Sequence, residues 1–195
     1  MITSRNLIAI GASTGGTEAV LAIVRNFPAD TPGVVVTQHM PPGFTRMYAE
    51  RLDAICPMQV KEAENGEIVR QGVIYIAPGG LQMRVMKDIG HSYHLSVQQG
   101  ERVNGHAPSV DVLFHSVALS AGSLAVGVIL TGMGADGAAG LLEMKKKGAY
   151  TIGQDEKTCI VYGMPREAYH MGAVTKQLPL ERIAQEVLKN LGKLG

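Results

Sequence analysis

Three times along this chain an apolar run of strand length passes into a loop bearing glycine and then into a stretch with helical periodicity. The first run, 7–10, meets Gly11-Ala12-Ser13-Thr14-Gly15-Gly16, after which Val20, Ile23, Val24 and Phe27 recur on one helical face. The second, 34–37, meets Gln38-His39-Met40-Pro41-Pro42-Gly43 and a predicted helix from 44 to about 54. The third and most apolar, 124–131, meets Gly132-Met133-Gly134-Ala135-Asp136-Gly137 and a predicted helix to about 147. Units in this order build parallel sheets, because two parallel neighbours need a long crossover and a helix is the usual one.

The segments between these units refine the expectation. The stretch 58–98 reads as strand-like and prone to hairpins, with Ala77-Pro78-Gly79-Gly80 as a turn. Ser109 can cap a helix on which Val110, Leu113, Phe114 and Val117 share a face, with Asp111 in its first turn. Residues 150–154 suit another strand, Pro165 opens a short helix, and 180–191 closes the chain helically. The predicted fold is α/β: a doubly wound, mostly parallel sheet flanked by helices, Rossmann-like and three-layered, with an antiparallel hairpin insertion. At 195 residues, one domain over 1–195 accounts for the whole chain.

Composition narrows the function classes. The formal net charge is +1 and the basic residues are scattered, apart from Lys145-Lys146-Lys147, which suit a helix end better than a phosphate backbone. No nucleic-acid partner is expected. Cys56 and Cys159 stand far apart with no metal-ligand spacing, so neither a disulfide framework nor a zinc site is predicted. The chain opens on no signal-peptide pattern and holds no apolar run long enough to span a bilayer. The expectation is a cytoplasmic protein without membrane insertion.

In open α/β sheets, ligands gather beyond the carboxyl ends of the strands. The three loops sit at such ends, and each offers one member of a nucleophilic trio: Ser13, His39 and Asp136. Gly11-Ala12-Ser13-Thr14-Gly15 fits G-x-S-x-G between strand and helix, where a tight turn projects the hydroxyl from the sheet. The Thr14 amide, at the helix start, could then donate to an oxyanion. A base titrating near neutrality suits His39, and a carboxylate at Asp136 could orient its ring. Taken singly, Ser13 reads equally as a helix-start residue, His39 as a packed histidine, and Asp136 as an N-terminal acid of the next helix. His91, His94, His106, His115 and His170 take the plain reading of packed, hydrogen-bonded bystanders.

A rival reading exists. Gly132 to Gly137 also spells G-x-G-x-x-G, and Asp155 follows near the end of the next strand, where a ribose-binding acid belongs. Against a nicotinamide enzyme stand the lack of any Tyr-x-x-x-Lys and the end of the second strand in Thr37-Gln38-His39, with no acid.

Five ordered motifs resemble the catalytic domain of chemotaxis protein-glutamate methylesterases, the CheB type. They are Ile8 to Gly16, Gln38-His39-Met40-Pro41-Pro42, Pro108 to Phe114, Leu130 to Gly137, and Tyr162-Gly163-Met164-Pro165-Arg166. The resemblance implies hydrolysis of glutamate γ-methyl esters on the cytoplasmic helices of chemoreceptors, releasing methanol, with glutamine deamidation in some members. It implies Ser13 as nucleophile, His39 as base, Asp136 as orienting acid, and the amides of Thr14 and Met133 at the oxyanion, with no metal or organic cofactor. Relatives carry a receiver domain before the esterase, whereas here the first strand begins within a few residues of Met1. A single methylesterase catalytic domain over 1–195 is therefore expected, with no receiver domain in the chain and a receiver in trans as a candidate regulator. A catalytically idle receptor-binding module is the third class the motifs leave open.

Overall fold

Period-two alternation sorts the first strand onto two faces. In β1 (Leu7–Ala12) every residue is buried; Leu7 and Ala9 enter one hydrophobic core, while Ile8, Ile10 and Ala12 enter the other. A strand buried on both faces belongs in the middle of a helix-covered sheet, and that is where β1 lies. The computed structural model describes residues 5–90 and 92–192. His91 lies outside them.

The elements that follow are α1 (Gly16–Val24), β2 (Val34–Gln38), α2 (Phe44–Asp53), β3 (Gln59–Glu62), β4 (Val73–Ile76), β5 (Gln82–Lys87) and β6 (Tyr93–Gln98). After them come α3 (Val110–Ser120), β7 (Ala125–Ile129), α4 (Ala138–Lys146), β8 (Tyr150–Gln154), α5 (Met164–His170), β9 (Lys176–Leu178) and α6 (Leu180–Leu191). Seven strands form one sheet in the order β3-β4-β2-β1-β7-β8-β9, with every pairing parallel. Helices α1, α2 and α6 supply buried side chains to one core, and α3, α4 and α5 to the other. The doubly wound, helix-flanked sheet is thus the one expected, and Ser109 does cap α3, accepting from the Val112 amide.

The middle of the chain holds the expected antiparallel hairpin and two strands that join the main sheet. Within 58–98, β5 and β6 form that hairpin, whereas β3 and β4 join the main sheet in parallel. The local pattern of β3 resembles a hairpin strand because it lies at the sheet edge, with one buried residue in four, whereas β4 is buried throughout between β3 and β2. Alternation of that kind records half-exposure, and it does not report strand direction. β9 is likewise a three-residue edge strand, too short to leave a periodic signal. The β5–β6 hairpin is held against α3, where Ser116 Oγ accepts from the Val85 amide and Ser120 Oγ donates to the Val85 carbonyl. Among the described residues no helix is long and apolar enough to cross a membrane.

The strand order fixes where loops meet. Beyond β1 the chain winds out through β2 on one side and β7 on the other, so the sheet reverses between β1 and β7. The loops leaving β1, β2 and β7 carry Ser13, His39 and Asp136, side by side at the carboxyl edge of the sheet.

Candidate active site

Ser13 directly follows β1, its backbone bound to two neighbouring loops. Its N–H donates to Thr131 O at 3.0 Å, and its carbonyl accepts from the Gly16 amide at 2.7 Å and from Gln38 Nε2 at 2.8 Å. The turn requires Gly15, which has φ +77°, and a Cβ there would sit 2.7 Å from Ile160. Just below, a Cβ on Gly11 would lie 2.2 Å from Val110 Cγ1, so glycine lets the start of α3 approach the strand. The β1 loop is thereby wedged between those of β2, β7 and α3.

His39 continues the parallel ladder of β2, its amide donating to Ala12 O at 3.1 Å. Its side chain is 8% exposed, and its Nε2 lies 2.7 Å from Asp136 Oδ2. Asp136 is not an N-terminal acid of α4, as it might read from sequence; it faces the start of α3. Oδ2 also accepts from the Val110 amide at 2.7 Å, while Oδ1 accepts from Ser109 Oγ at 2.7 Å, Asn104 Nδ2 at 2.8 Å and the Asp111 amide at 3.2 Å. Burial pushes the carboxyl pKa up, but the bonds from His39, Asn104, Ser109 and Val110 outweigh it and bring it to about 2. An ionised Asp136 fixes the tautomer of its partner: Nε2 carries the proton it donates, and Nδ1 keeps its lone pair. That Nδ1 is buried with no hydrogen-bond partner among the described residues. It is the ring atom left to accept a proton.

This carboxylate makes stability depend on pH. A pKa lowered from 3.8 to about 2 contributes about 2 kcal/mol that is present above about pH 4 and lost as pH falls towards 2. Denaturant unfolding from pH 6 to pH 2 should show this loss in the wild type and lack it in Asp136→Asn.

The β7 loop is built around a close contact. Gly132 donates to Val161 O and accepts from the Gly163 and Met164 amides, while Thr131 Oγ1 donates to Thr14 O and accepts from the Val161 amide. A Cβ on Gly163 would lie 2.6 Å from Gly132 O. The Tyr162-Gly163-Met164 motif therefore works as the bed on which the loop lies. The loop top is open: Met133 is 74% exposed, Thr14 is exposed, and neither amide has an acceptor among the described residues. A Cβ added to Gly132 would meet Ser13 Cβ at 2.7 Å. Gly132→Ala should accordingly displace Ser13, lowering any turnover that uses its hydroxyl by about tenfold to a hundredfold and stability by about 1–3 kcal/mol. Turnover and thermal unfolding of that variant check both.

Sequence reading missed much of the support. Ser109 was expected only as a helix cap, yet it also donates to Asp136. Asn104 bridges Asp136 and Asp111 Oδ2, the latter at 2.7 Å. His106, expected to be a bystander, stacks on His39 with ring centroids 3.6 Å apart and planes within 10°. A usable signal was present: Asn104-Gly105 is a strong two-residue turn sequence, and Val103 and His106 do pair across it with φ of 54° and 81° between them. His94 instead pairs with Asp88, and His115 and His170 are exposed. The dinucleotide reading finds no footing. Asp155 is spent on the Thr158 amide and hydroxyl, and the Asp136 carboxylate inside the glycine loop would repel a pyrophosphate.

A family model described as CheB methylesterase matches residues 8–187. The chain belongs to the CheB methylesterase family. It is 60% identical over 188 residues to a protein-glutamate methylesterase/protein-glutamine glutaminase 2 of Syntrophomonas wolfei, covering 96% of this chain and 55% of that protein. With the protein-glutamate methylesterase/protein-glutamine glutaminase of Salmonella typhi it shares 54% identity over 191 residues, 98% of this chain and 54% of the relative. The chain thus spans about half the length of these relatives. Its fold matches the crystal structure of the Thermotoga maritima CheB methylesterase catalytic domain with a TM-score of 0.91 at 37% identity, covering 94% of this chain and 97% of that one.

Proposed function

We propose that this member of the CheB methylesterase family hydrolyses γ-methyl esters of glutamate in a protein, through Ser13, His39 and Asp136. The observation that carries the reading is the 2.7 Å bond between His39 Nε2 and Asp136 Oδ2 beside the Ser13 loop. It leaves a lone pair on Nδ1 to take the Ser13 proton as the hydroxyl attacks the ester carbonyl. The tetrahedral oxyanion then accepts from the Thr14 and Met133 amides, which have no competing acceptor among the described residues. The imidazolium protonates the departing methoxide to methanol, and His39 activates a water that releases the glutamyl group from Ser13 as a carboxylate. Asp136 stays ionised throughout, holding the ring and offsetting its transient charge.

The exposed loop top suits an ester presented on the surface of a folded helix rather than a free small molecule. Methylated cytoplasmic helices of chemoreceptors are the substrate we infer, and side-chain amides of glutamine would enter the same chemistry with ammonia as leaving group. Incubating a methylated receptor cytoplasmic fragment with the protein should release methanol and leave one new carboxylate per ester, read by mass spectrometry. An unchanged fragment, with the protein folded, would contradict the reading and favour an idle receptor-binding module.

A further inference from the structure

We propose that His106 is a positioning residue for this reaction, its imidazole stacked on His39 so that the plane of the base stays fixed while it gains and loses a proton. The inference rests on the reading of His39 as the base. One hydrogen bond at Nε2 anchors the His39 ring at a single edge and leaves it free to tilt about that bond. The stack removes this freedom, since the two rings lie 3.6 Å apart and within 10° of parallel. Nδ1 must point at the Ser13 hydroxyl, so a tilt of the plane misdirects the proton acceptor.

The support behind His106 is stiff. Its amide and carbonyl both pair with Val103 across the Asn104-Gly105 turn, and its carbonyl accepts a further bond from Gln82 Nε2 at 3.0 Å. The same turn sends Asn104 to Asp136. One four-residue turn therefore grips both members of the pair: the carboxylate by a hydrogen bond, the imidazole by its face. The neutral aromatic face also gives the imidazolium formed during turnover a favourable neighbour. Two imidazolium rings in this stack would repel each other, so His106 serves only while uncharged. Burial, then the neighbouring His39, hold its pKa below the usual imidazole value; the Asp136 carboxylate acts in the opposite sense and the Arg102 guanidinium in the same one.

The test compares His106→Ala and His106→Phe by steady-state kinetics and by imidazole proton NMR across pH. Removing the ring should lower kcat about tenfold to a hundredfold with KM within about twofold, and Phe should restore most of kcat. By NMR, the His39 ring protons should carry the upfield shift of a stacked ring in wild type and His106→Phe, and lose it in His106→Ala. The His106 midpoint should rise in His39→Gln. Full kcat in His106→Ala, a Phe variant as impaired as Ala, or a loss confined to KM would overturn the proposal. A wild type without esterase activity would count against the proposed function instead. The NMR arm still decides whether the stack orders His39, and unchanged His39 shifts in His106→Ala would refute it.

Discussion

Ser13→Ala protein should fold normally and release methanol roughly 10⁴- to 10⁶-fold more slowly than wild type. Normal folding is expected because every bond that fixes residue 13 comes from its backbone: to Thr131, to Gly16 and to Gln38. His39→Ala should cost a similar factor, since an unassisted hydroxyl is a poor nucleophile near neutral pH. The double variant should be no slower than either single one, because in the proposed reaction the two groups act in one proton transfer. Turnover numbers of the three proteins, each checked by thermal unfolding, decide the matter. A Ser13→Ala enzyme that keeps a tenth of wild-type turnover would remove Ser13 from the chemistry.

Asp136→Asn should be almost as damaging, by about 10³- to 10⁴-fold, and it should also weaken the fold. The two carboxylate oxygens accept five bonds of 2.7–3.2 Å, all from donors. An amide has one NH2 group, and either orientation sets that group against donors. Facing outward at the Oδ2 position it meets His39 and the Val110 amide; at the Oδ1 position it meets Asn104, Ser109 and the Asp111 amide. We expect about 2–4 kcal/mol of lost stability from the buried mismatch. A smaller turnover loss would follow if His39 could keep its tautomer without a carboxylate. Measuring kcat and denaturant stability on the same preparation separates the two effects.

The positions that sequence reading found are those where one residue type answers to local rules. Ser13 stands in a glycine turn between strand and helix, and His39 and Asp136 follow apolar strands; each rule is local, and the order of units implied that the loops converge. The sheet centre was legible for the same reason, because β1, β2 and β7 are buried throughout and built mainly from apolar residues. The edges were not. β3 and β9 are short and partly exposed, and whether they pair parallel or antiparallel depends on neighbours distant in sequence. The shell around Asp136 is non-local too, since Asn104 and Ser109 lie 32 and 27 positions away from it. Nothing in the immediate sequence of Ser109 distinguishes a helix cap from a cap that also serves a carboxylate. The stacking of His106 on His39 was not legible from either histidine alone, because it depends on the turn that carries His106.

The central claim is that ester cleavage passes through a glutamyl group on Ser13. The most direct measurement adds hydroxylamine during turnover of a methylated receptor fragment and analyses the fragment, with Ser13→Ala protein as the blank. A covalent intermediate predicts glutamyl hydroxamate formed at the expense of carboxylate, rising with hydroxylamine, and absent with Ser13→Ala. Methanol release by wild type with no hydroxamate above the blank at any hydroxylamine concentration would mean that water attacks the ester directly and that Ser13 is not the nucleophile.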